Sequence, residues 1–496
     1  MNKPNIILIT TDQQRFDTIH ALGNMHIYTP HLNWLADEGI AFTRCYSDCP
    51  ICMPARATIM TGKHGYTHGL MSNSNVVIPM KNGDTLPAVL TREGYQTRAQ
   101  GKMHFEPIRA NYGFEHMELP LDYYRFMDAY PELGIPKGHG VGENEIEPVI
   151  STVDEIHSAT RWVVKRSIDF IETRDDTRPF FLWTSFAKPH PPFDPSYHYW
   201  ALYQNKELPP PVYGDWSEKL SFAPQGFYRP TYMLNNAYRM SQSQLLDVKR
   251  AYYACITQID YSLGLLFARL REMNLLDNTW IIFTSDHGDM MGDHHMCAKS
   301  VFLEGSAHIP MIVRPPRDTS LTTAAIQSLT GARCETIVTL ADVAPTILAI
   351  AGAREPDGMD GANMLDLATE NAGAGANAGT DGGSLRRAGA DRIFYGACDS
   401  YYSIIKDDYK YLWTNIGDEE LLFNLKTDPQ ERINLAKDEA ETVACLKQML
   451  ADKMATCCNE AVYKEFSSIK DAITGPREVN KWPGFHSTGF PTDVLH

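Results

Sequence analysis

The sequence predicts an α/β protein with a mostly parallel sheet flanked by helices, followed by a smaller C-terminal α+β subdomain. Three observations carry this expectation. Four apolar runs each end in ionisable residues, helical patterns alternate with those runs, and a change of composition near residue 369 precedes short strands of another kind.

The first run, Ile6 to Thr11, leads into Asp12-Gln13. A helix is expected after Thr29-Pro30, where proline suits the first turn, and it should stop at Gly39. Cys52-Met-Pro-Ala-Arg-Ala-Thr-Ile-Met-Thr-Gly62 reads as a loop-to-helix junction. Pro54 lies in its first turn and Arg56 one helical step beyond the thiol, so free backbone N–H groups and a cation surround one nucleophile. The second run, Tyr95 to Gln100, meets Gly101-Lys-Met-His104, and the third, Phe180 to Phe186, leads to Lys188-Pro-His190. A long helix follows over about 242 to 273, with Leu245, Val248, Tyr252, Ile256, Ile259, Leu263, Leu266 and Leu270 at three- and four-residue steps. The fourth run, Trp280 to Ser285, ends at Asp286-His287-Gly288. In an open α/β sheet, ligands sit beyond the carboxyl ends of parallel strands, so these four loops are expected to meet at one site.

From about 369 to 391 the chain turns to Ala, Gly, Asn and Asp, with too little apolar surface to offset the entropy of ordering, and is expected to be a flexible linker or insertion. Ile393 to Ala397, Tyr402 to Lys406 and Tyr409 to Thr414 then alternate like antiparallel strands, with a helix from about 438 to 456. The expected units are therefore 1–368, 369–391 and 392–496. In the last, Trp482, Phe485, His486 and Phe490 are candidates to cover the mouth of a site or a neighbouring subunit.

Composition narrows the functional classes. With 43% hydrophobic and 21% charged residues over 496 positions, the chain is long enough for a large core and is neither disordered nor fibrous. A formal charge of −16 argues against a nucleic-acid surface and requires any anionic substrate to be drawn in by local cations. Ten scattered cysteines do not form a small-domain disulfide pattern, so reduced thiols are expected. After Met1-Asn-Lys-Pro the chain enters a strand directly and no apolar run approaches membrane-spanning length, as expected of a cytoplasmic protein with no membrane partner.

The segment Cys52 to Gly62 resembles the signature of the type I sulfatases of the alkaline phosphatase superfamily, Cys-x-Pro-x-Arg-x-x-x-Thr-Gly. The resemblance extends from Pro4 through Leu435 and implies an alkaline-phosphatase-like catalytic domain. It implies that a maturase oxidises Cys52 to formylglycine, whose hydrated aldehyde is the nucleophile. Arg56 would then hold the formylglycine hydroxyl, Lys102 and Lys299 the sulfate, His104 would act as base when the covalent sulfate is expelled, and His190 would be the general acid. Asp12, Gln13, Asp286 and His287 would hold one divalent cation, Ca²⁺ by family habit, with Mn²⁺, Mg²⁺ and Zn²⁺ as alternatives. Here the chain departs from the commonest pattern, which has Asp-Asp and Asp-Asn at these pairs. Asp-Gln with Asp-His also resembles the phosphonate monoester hydrolases.

The implied reaction is hydrolysis of a sulfate monoester of a carbohydrate or an aryl or steroid alcohol. Phosphonate or phosphodiester hydrolysis and noncatalytic binding are the alternatives. Taken singly, each residue has an ordinary reading: His190 as a turn residue, Lys102 as a solvated cation, Asp286 as a helix cap, and Cys49 with Cys52 as a redox or zinc pair. Their joint occurrence at four strand ends favours the catalytic reading. The loops at about 105–150 and 191–240, with Tyr123, Tyr124, Tyr197, Tyr199 and Trp200, are expected to meet the organic part of the substrate.

Overall fold

Strand β1, Asn5–Asp12, is buried along its whole length and lies between two parallel neighbours, β5 (Phe180–Pro189) and β6 (Thr279–Ser285). The computed structural model describes residues 3–73, 83–217, 240–373, 384–385, 392–398, 401–414, 420–457, 459–460 and 462. The candidate cover at Trp482 to Phe490 lies outside the described residues, as does most of 374–391.

The remaining strands of the main sheet are β2 (Ile40–Tyr46), β3 (Gln96–Gly101), β4 (His116–Glu118), β7 (His308–Ile309), β8 (Met311–Arg314), β9 (Arg333–Thr339) and β10 (Ser384–Leu385). Their order is β10-β9-β2-β8-β6-β1-β5-β3-β4, with β7 against β2. The pairing is parallel except where β8 meets β2 and β6 and where β7 meets β2. Every neighbour of β1 and β3 is parallel, so the loops after β1, β3, β5 and β6 leave from the same edge.

Alternation along β1 divides the core. Ile6 and Leu8 face a layer containing helices Cys52–Thr61, Leu86–Arg92 and Val343–Ala351. Ile7 and Ile9 face the layer of Pro30–Asp37, Ala159–Thr173 and Gln242–Glu272. Each of these four side chains is fully buried, at about 1.5–3 kcal/mol apiece. A one-residue slip of register would exchange the two faces, so the strand-end loops are held in place by the core itself.

Between the second layer's helices lies a tertiary cap. Thr29 makes no side-chain cap to the helix Pro30–Asp37; instead Asp260, from the long helix, accepts the N–H groups of His31 at 3.1 Å and Leu32 at 2.7 Å. Burial pushes the Asp260 carboxyl up to about 7. A raised folded-state pKa gives stabilisation that is complete below the unfolded value and is lost as pH rises through 7. Asp260→Asn keeps an acceptor and cannot ionise. Between pH 5 and pH 8 its thermal midpoint should therefore fall less than that of the wild type, as differential scanning fluorimetry at the two pH values would show.

The C-terminal region forms a second, antiparallel sheet in the order β11-β12-β13-β14: Phe394–Cys398, Tyr401–Lys406, Tyr409–Thr414 and Glu420–Asn424. Helix Ala440–Cys457 covers one face through Val443, Leu446, Leu450 and Met454, while the other face meets Tyr46, Phe302 and Ile337 of the main body. The described cysteines form no disulfide, Cys49 and Cys52 included; Cys49 Sγ donates to the Met71 carbonyl at 3.5 Å. Among the described residues no helix is long and apolar enough to cross a membrane.

Candidate active site

Cys52 opens the helix Cys52–Thr61, whose N-terminal N–H at Met53 is satisfied by the Asn73 side chain at 3.0 Å. Its Sγ lies 3.2 Å from His287 Nε2 and 3.7 Å from Asp12 Oδ1. One ligand atom each from Asp12, Cys52, Asp286 and His287 fall within 4.8 Å of one another, all buried. His287 Nδ1 faces the Gly288 carbonyl at 3.0 Å, which only accepts, so Nδ1 carries hydrogen and Nε2 is turned to the cluster.

Two carboxylates and an imidazole nitrogen crowded on one point suit a divalent cation, and the sulfatase pattern implies one. Burial alone would lower the His287 pKa, but Asp286 and Cys52 outweigh it and raise it. Burial and Asp12 push the Cys52 thiol up, and Lys299, Lys102 and His287 overcome them, leaving it well below the usual thiol range.

Arg56, one turn along the helix, is fully buried and bridges the two carboxylates: Nη2 reaches Asp286 Oδ2 at 2.9 Å and Asp12 Oδ2 at 3.3 Å. Its Nη1 donates to the Lys102 carbonyl at 2.5 Å and to Ser185 Oγ at 2.8 Å. The guanidinium therefore ties β1, β3, β5 and β6 together, and none of its hydrogen bonds goes to Cys52. Lys102 Nζ pairs with Asp12 Oδ2 at 2.6 Å. Burial opposes the Asp12 carboxylate, but Lys102, His190, Arg56 and His287 hold it well below the usual range.

A second group adjoins the first. Lys299 Nζ donates to Gln13 Oε1 at 2.6 Å and to His190 Nε2 at 3.0 Å. His190 Nδ1 faces the Pro191 carbonyl at 2.9 Å, so its hydrogen is there and Nε2 is the acceptor. Burial, with Lys299 and Lys102 close by, holds His190 well below the usual imidazole range. Gln13 sits in the left-handed region at φ 73° and donates its N–H to Asp286 Oδ1 at 3.0 Å. His104 is also left-handed, at φ 54°. Among the described residues its buried Nδ1 has no hydrogen-bond partner and no hydrogen bond joins it to Cys52.

Backbone approach at two glycines makes this convergence sterically possible. A Cβ on Gly101, at φ 96°, would lie 1.9 Å from the Ser185 carbonyl oxygen, and one on Gly288 would lie 2.1 Å from that of Gly305.

Of the ten residues singled out in the sequence, Asp12, Cys52, Arg56, Lys102, Asp286 and His287 gather around one point, Gln13, His190 and Lys299 lie beside it, and His104 follows Lys102 on the loop after β3. Sequence reasoning missed three residues. Ser185 accepts from Arg56 and donates to the Lys102 carbonyl at 2.6 Å. Tyr252 donates to the Gln13 carbonyl at 2.6 Å. Asp289 accepts from Gln13 Nε2. The fourth letter of Asp286-His-Gly-Asp289 was a visible signal; Ser185 and Tyr252 needed the register of the sheet.

A family model described as Sulfatase matches residues 4–353. The chain is 32% identical over 476 residues to an arylsulfatase of Clostridium perfringens, covering 91% of this chain and 94% of that one. It is 26% identical over 513 residues to an N-acetylglucosamine-6-O-sulfatase of Bacteroides thetaiotaomicron, covering 90% and 86%. The fold is similar to that of the phosphonate monoester hydrolase of Agrobacterium radiobacter, with a TM-score of 0.73 at 23% identity over 92% of this chain and 96% of that one. It is also similar to a protein solved with its substrate D-glucosamine-2-N,6-O-disulfate, with a TM-score of 0.67 at 22% identity over 95% and 100%.

Proposed function

This chain belongs to the sulfatase family and is a sulfuric ester hydrolase; from that premise we propose that it cleaves a sulfate monoester of a sugar or an aryl alcohol through a nucleophile formed at Cys52. The observation that carries the reading is the position of Cys52 Sγ, buried within 4.8 Å of ligand atoms of Asp12, Asp286 and His287. Oxidation of Cys52 to formylglycine by a maturase supplies a hydrated aldehyde, whose hydroxyl is the attacking group. Asp12, Asp286, His287 and the Gln13 oxygen would hold a divalent cation, Ca²⁺ in our reading, which would supply Lewis acidity towards the sulfate oxygens.

The chain's own residues do the rest. Lys102, paired with Asp12, and Lys299, bonded to Gln13 and His190, neutralise charge on the sulfate. Arg56 keeps Asp12 and Asp286 together, so two buried carboxylates face one point without separating. His190 is the general acid: its Nε2, which lies 3.0 Å from Lys299 Nζ in the resting site, takes up a proton from solvent and gives it to the leaving alcohol, while Lys299 keeps its charge for the sulfate. His104, with a buried ring nitrogen unpartnered among the described residues, is the base that assists release of sulfate.

The sulfated-sugar relatives support a carbohydrate sulfate as substrate, and the arylsulfatase relative supports an aryl sulfate. One observation favours a second reading. Asp12-Gln13 with Asp286-His287 and the fold likeness to a phosphonate monoester hydrolase fit hydrolysis of a phosphonate ester on the same residues. Values of kcat/KM for an aryl sulfate and the matching aryl phosphonate, measured side by side, separate them. We expect the sulfate to be preferred by at least about tenfold, a difference of about 1.4 kcal/mol in transition-state stabilisation. A clear preference for phosphonate would reverse the assignment. A panel of sulfated saccharides and phenol sulfates would then place the organic group.

A further inference from the structure

The carboxylate of Asp289 has no part in the reaction above, yet it grips both sides of the contact between Lys299 and Gln13. One oxygen, Oδ2, accepts from Gln13 Nε2. The other, Oδ1, accepts the N–H groups of Met291 at 2.8 Å and Ala298 at 2.9 Å. Ala298 immediately precedes Lys299 and sits at φ 63°, with Met291 at φ 50°, so Asp289 sets the turn that delivers the lysine. The side chain of Gln13 is fixed at its nitrogen end by an acceptor, and its oxygen end meets Lys299 Nζ at 2.6 Å.

An amide that is free to rotate has two nearly isosteric poses, and only one presents oxygen. With the pose reversed, the NH₂ group would face an ammonium and, in the sulfatase reading, a cation, while the oxygen would face a carboxylate. Both contacts are unfavourable in a buried site. The carboxylate at 289 excludes that pose. It also explains the departure at position 13 from the commoner Asp-Asp pattern: an aspartate or glutamate there would place two buried carboxylates in contact.

We propose that Asp289 is a positioning residue for Gln13, holding the amide so that its oxygen faces Lys299 and the cation site, and that positions 13 and 289 work as one donor–acceptor pair. This rests on the sulfatase reading. It follows that exchanging donor and acceptor between the two positions should preserve the device.

The test is an isosteric cycle in the full-length matured chain: Gln13→Glu, Asp289→Asn, and the two together. Two quantities are read, kcat/KM on the aryl sulfate and the Ca²⁺ concentration that half-saturates the rise in thermal midpoint. Asp289→Asn should lower kcat/KM by about 10–100-fold and raise the half-saturating Ca²⁺ by about tenfold. The exchange variant should recover at least about tenfold over the product of the two single losses in kcat/KM, which a merely structural role would not produce. Asp289→Asn within about twofold of wild type in both readouts, or simple additivity in the exchange variant, would overturn the proposal. Midpoints in EDTA check folding. Should Asp289→Asn unfold, the exchange variant against Gln13→Glu decides alone: higher activity supports the pair, equal or lower activity refutes it. A wild type that neither hydrolyses a sulfate ester nor gains stability with Ca²⁺ or Mn²⁺ would defeat the sulfatase reading, and this inference with it.

Discussion

Cys52→Ala should lose at least about 10⁴-fold in kcat on any sulfate ester the wild type turns over, because it removes the attacking atom and leaves only the charge-stabilising groups. KM should move far less, since Lys102 and Lys299 remain to meet the anion. The fold should survive: position 52 is the first residue of its helix, and the neighbouring N–H is satisfied by Asn73 and not by the thiol. A one-carbon side chain at a buried site removes a small volume, at about 1–2 kcal/mol of stability. Steady-state kinetics and a melting curve check both halves. Mass spectrometry of the peptide spanning Cys52, after co-expression with a maturase, checks the chemistry. A persistent unmodified thiol in a protein that still binds sulfated ligands would favour the noncatalytic reading. A Cys52→Ala protein that retained wild-type turnover would remove position 52 from the mechanism.

What could be read from the sequence followed from how locally each feature is encoded. Strands β1, β5 and β6 announce themselves because both faces are buried over most of their length, while β3, with Gln96 and Arg98 half-buried, is marked by the Gly101-Lys-Met-His104 motif at its end. Strand β2 does not: Thr43 and Arg44 interrupt its apolar run, and Arg44 reaches out to donate to the Asp407 carbonyl at 2.7 Å. Strand β8 has only four residues, and β14 pairs with β13 without a long apolar run of its own. Short or interrupted apolar runs, and not strand direction, hid these strands: β4 and β9, parallel to their neighbours, had no expectation either, whereas the antiparallel β11, β12 and β13 did.

The site divides in the same way. Charged residues in motifs at strand ends could be named in advance, whereas Ser185 joins Arg56 only because β5 is in register with β1, Ser185 opposite Thr10. Roles were harder to read than positions. The sequence resemblance assigns Arg56 to the nucleophile, but its hydrogen bonds go to Asp12, Asp286, Ser185 and the Lys102 carbonyl. A helix pattern places a guanidinium one turn from a thiol; it does not say which of several nearby acceptors will claim it. At the start of the expected linker a helix runs from Met364 to Gly373, and β10 within that linker pairs with β9; the rest of 374–391 lies outside the described residues.

The other large effect is expected far from the chemistry, where the C-terminal sheet meets the main body. Lys410, on β13, is fully buried between two glutamates, with Nζ at 2.6 Å from Glu304 Oε1 and 2.8 Å from Glu431 Oε1. Glu304 also meets His308 Nδ1 at 2.5 Å, and Glu431 accepts the Glu304 N–H at 2.8 Å. Burial opposes ionisation of Glu304, but Lys410 and His308 hold its carboxyl far below the usual range. In Glu431 burial wins, with Lys410 opposing and Glu304 reinforcing it, and the carboxyl is raised to about 7.

Lys410→Met keeps the length and apolar bulk of the side chain but leaves two buried carboxyls facing each other with only His308 beside Glu304. That should cost about 3–5 kcal/mol. The sign of its pH dependence is fixed. Without Lys410 both carboxyls are pushed up, so the folded variant binds protons that the unfolded chain releases above its ordinary glutamate range. The variant is therefore least impaired near pH 5 and loses further stability as pH rises towards 8. The triple variant Lys410→Met, Glu304→Gln, Glu431→Gln removes the charges together and should recover most of the loss at pH 8. Below its melting temperature Lys410→Met should keep kcat within about threefold of wild type, because nothing in the cluster touches the cation or proton groups of the site. Thermal midpoints at pH 5 and 8 beside turnover at 20 °C decide it. A pH-independent loss would mean that Lys410 acts through packing alone.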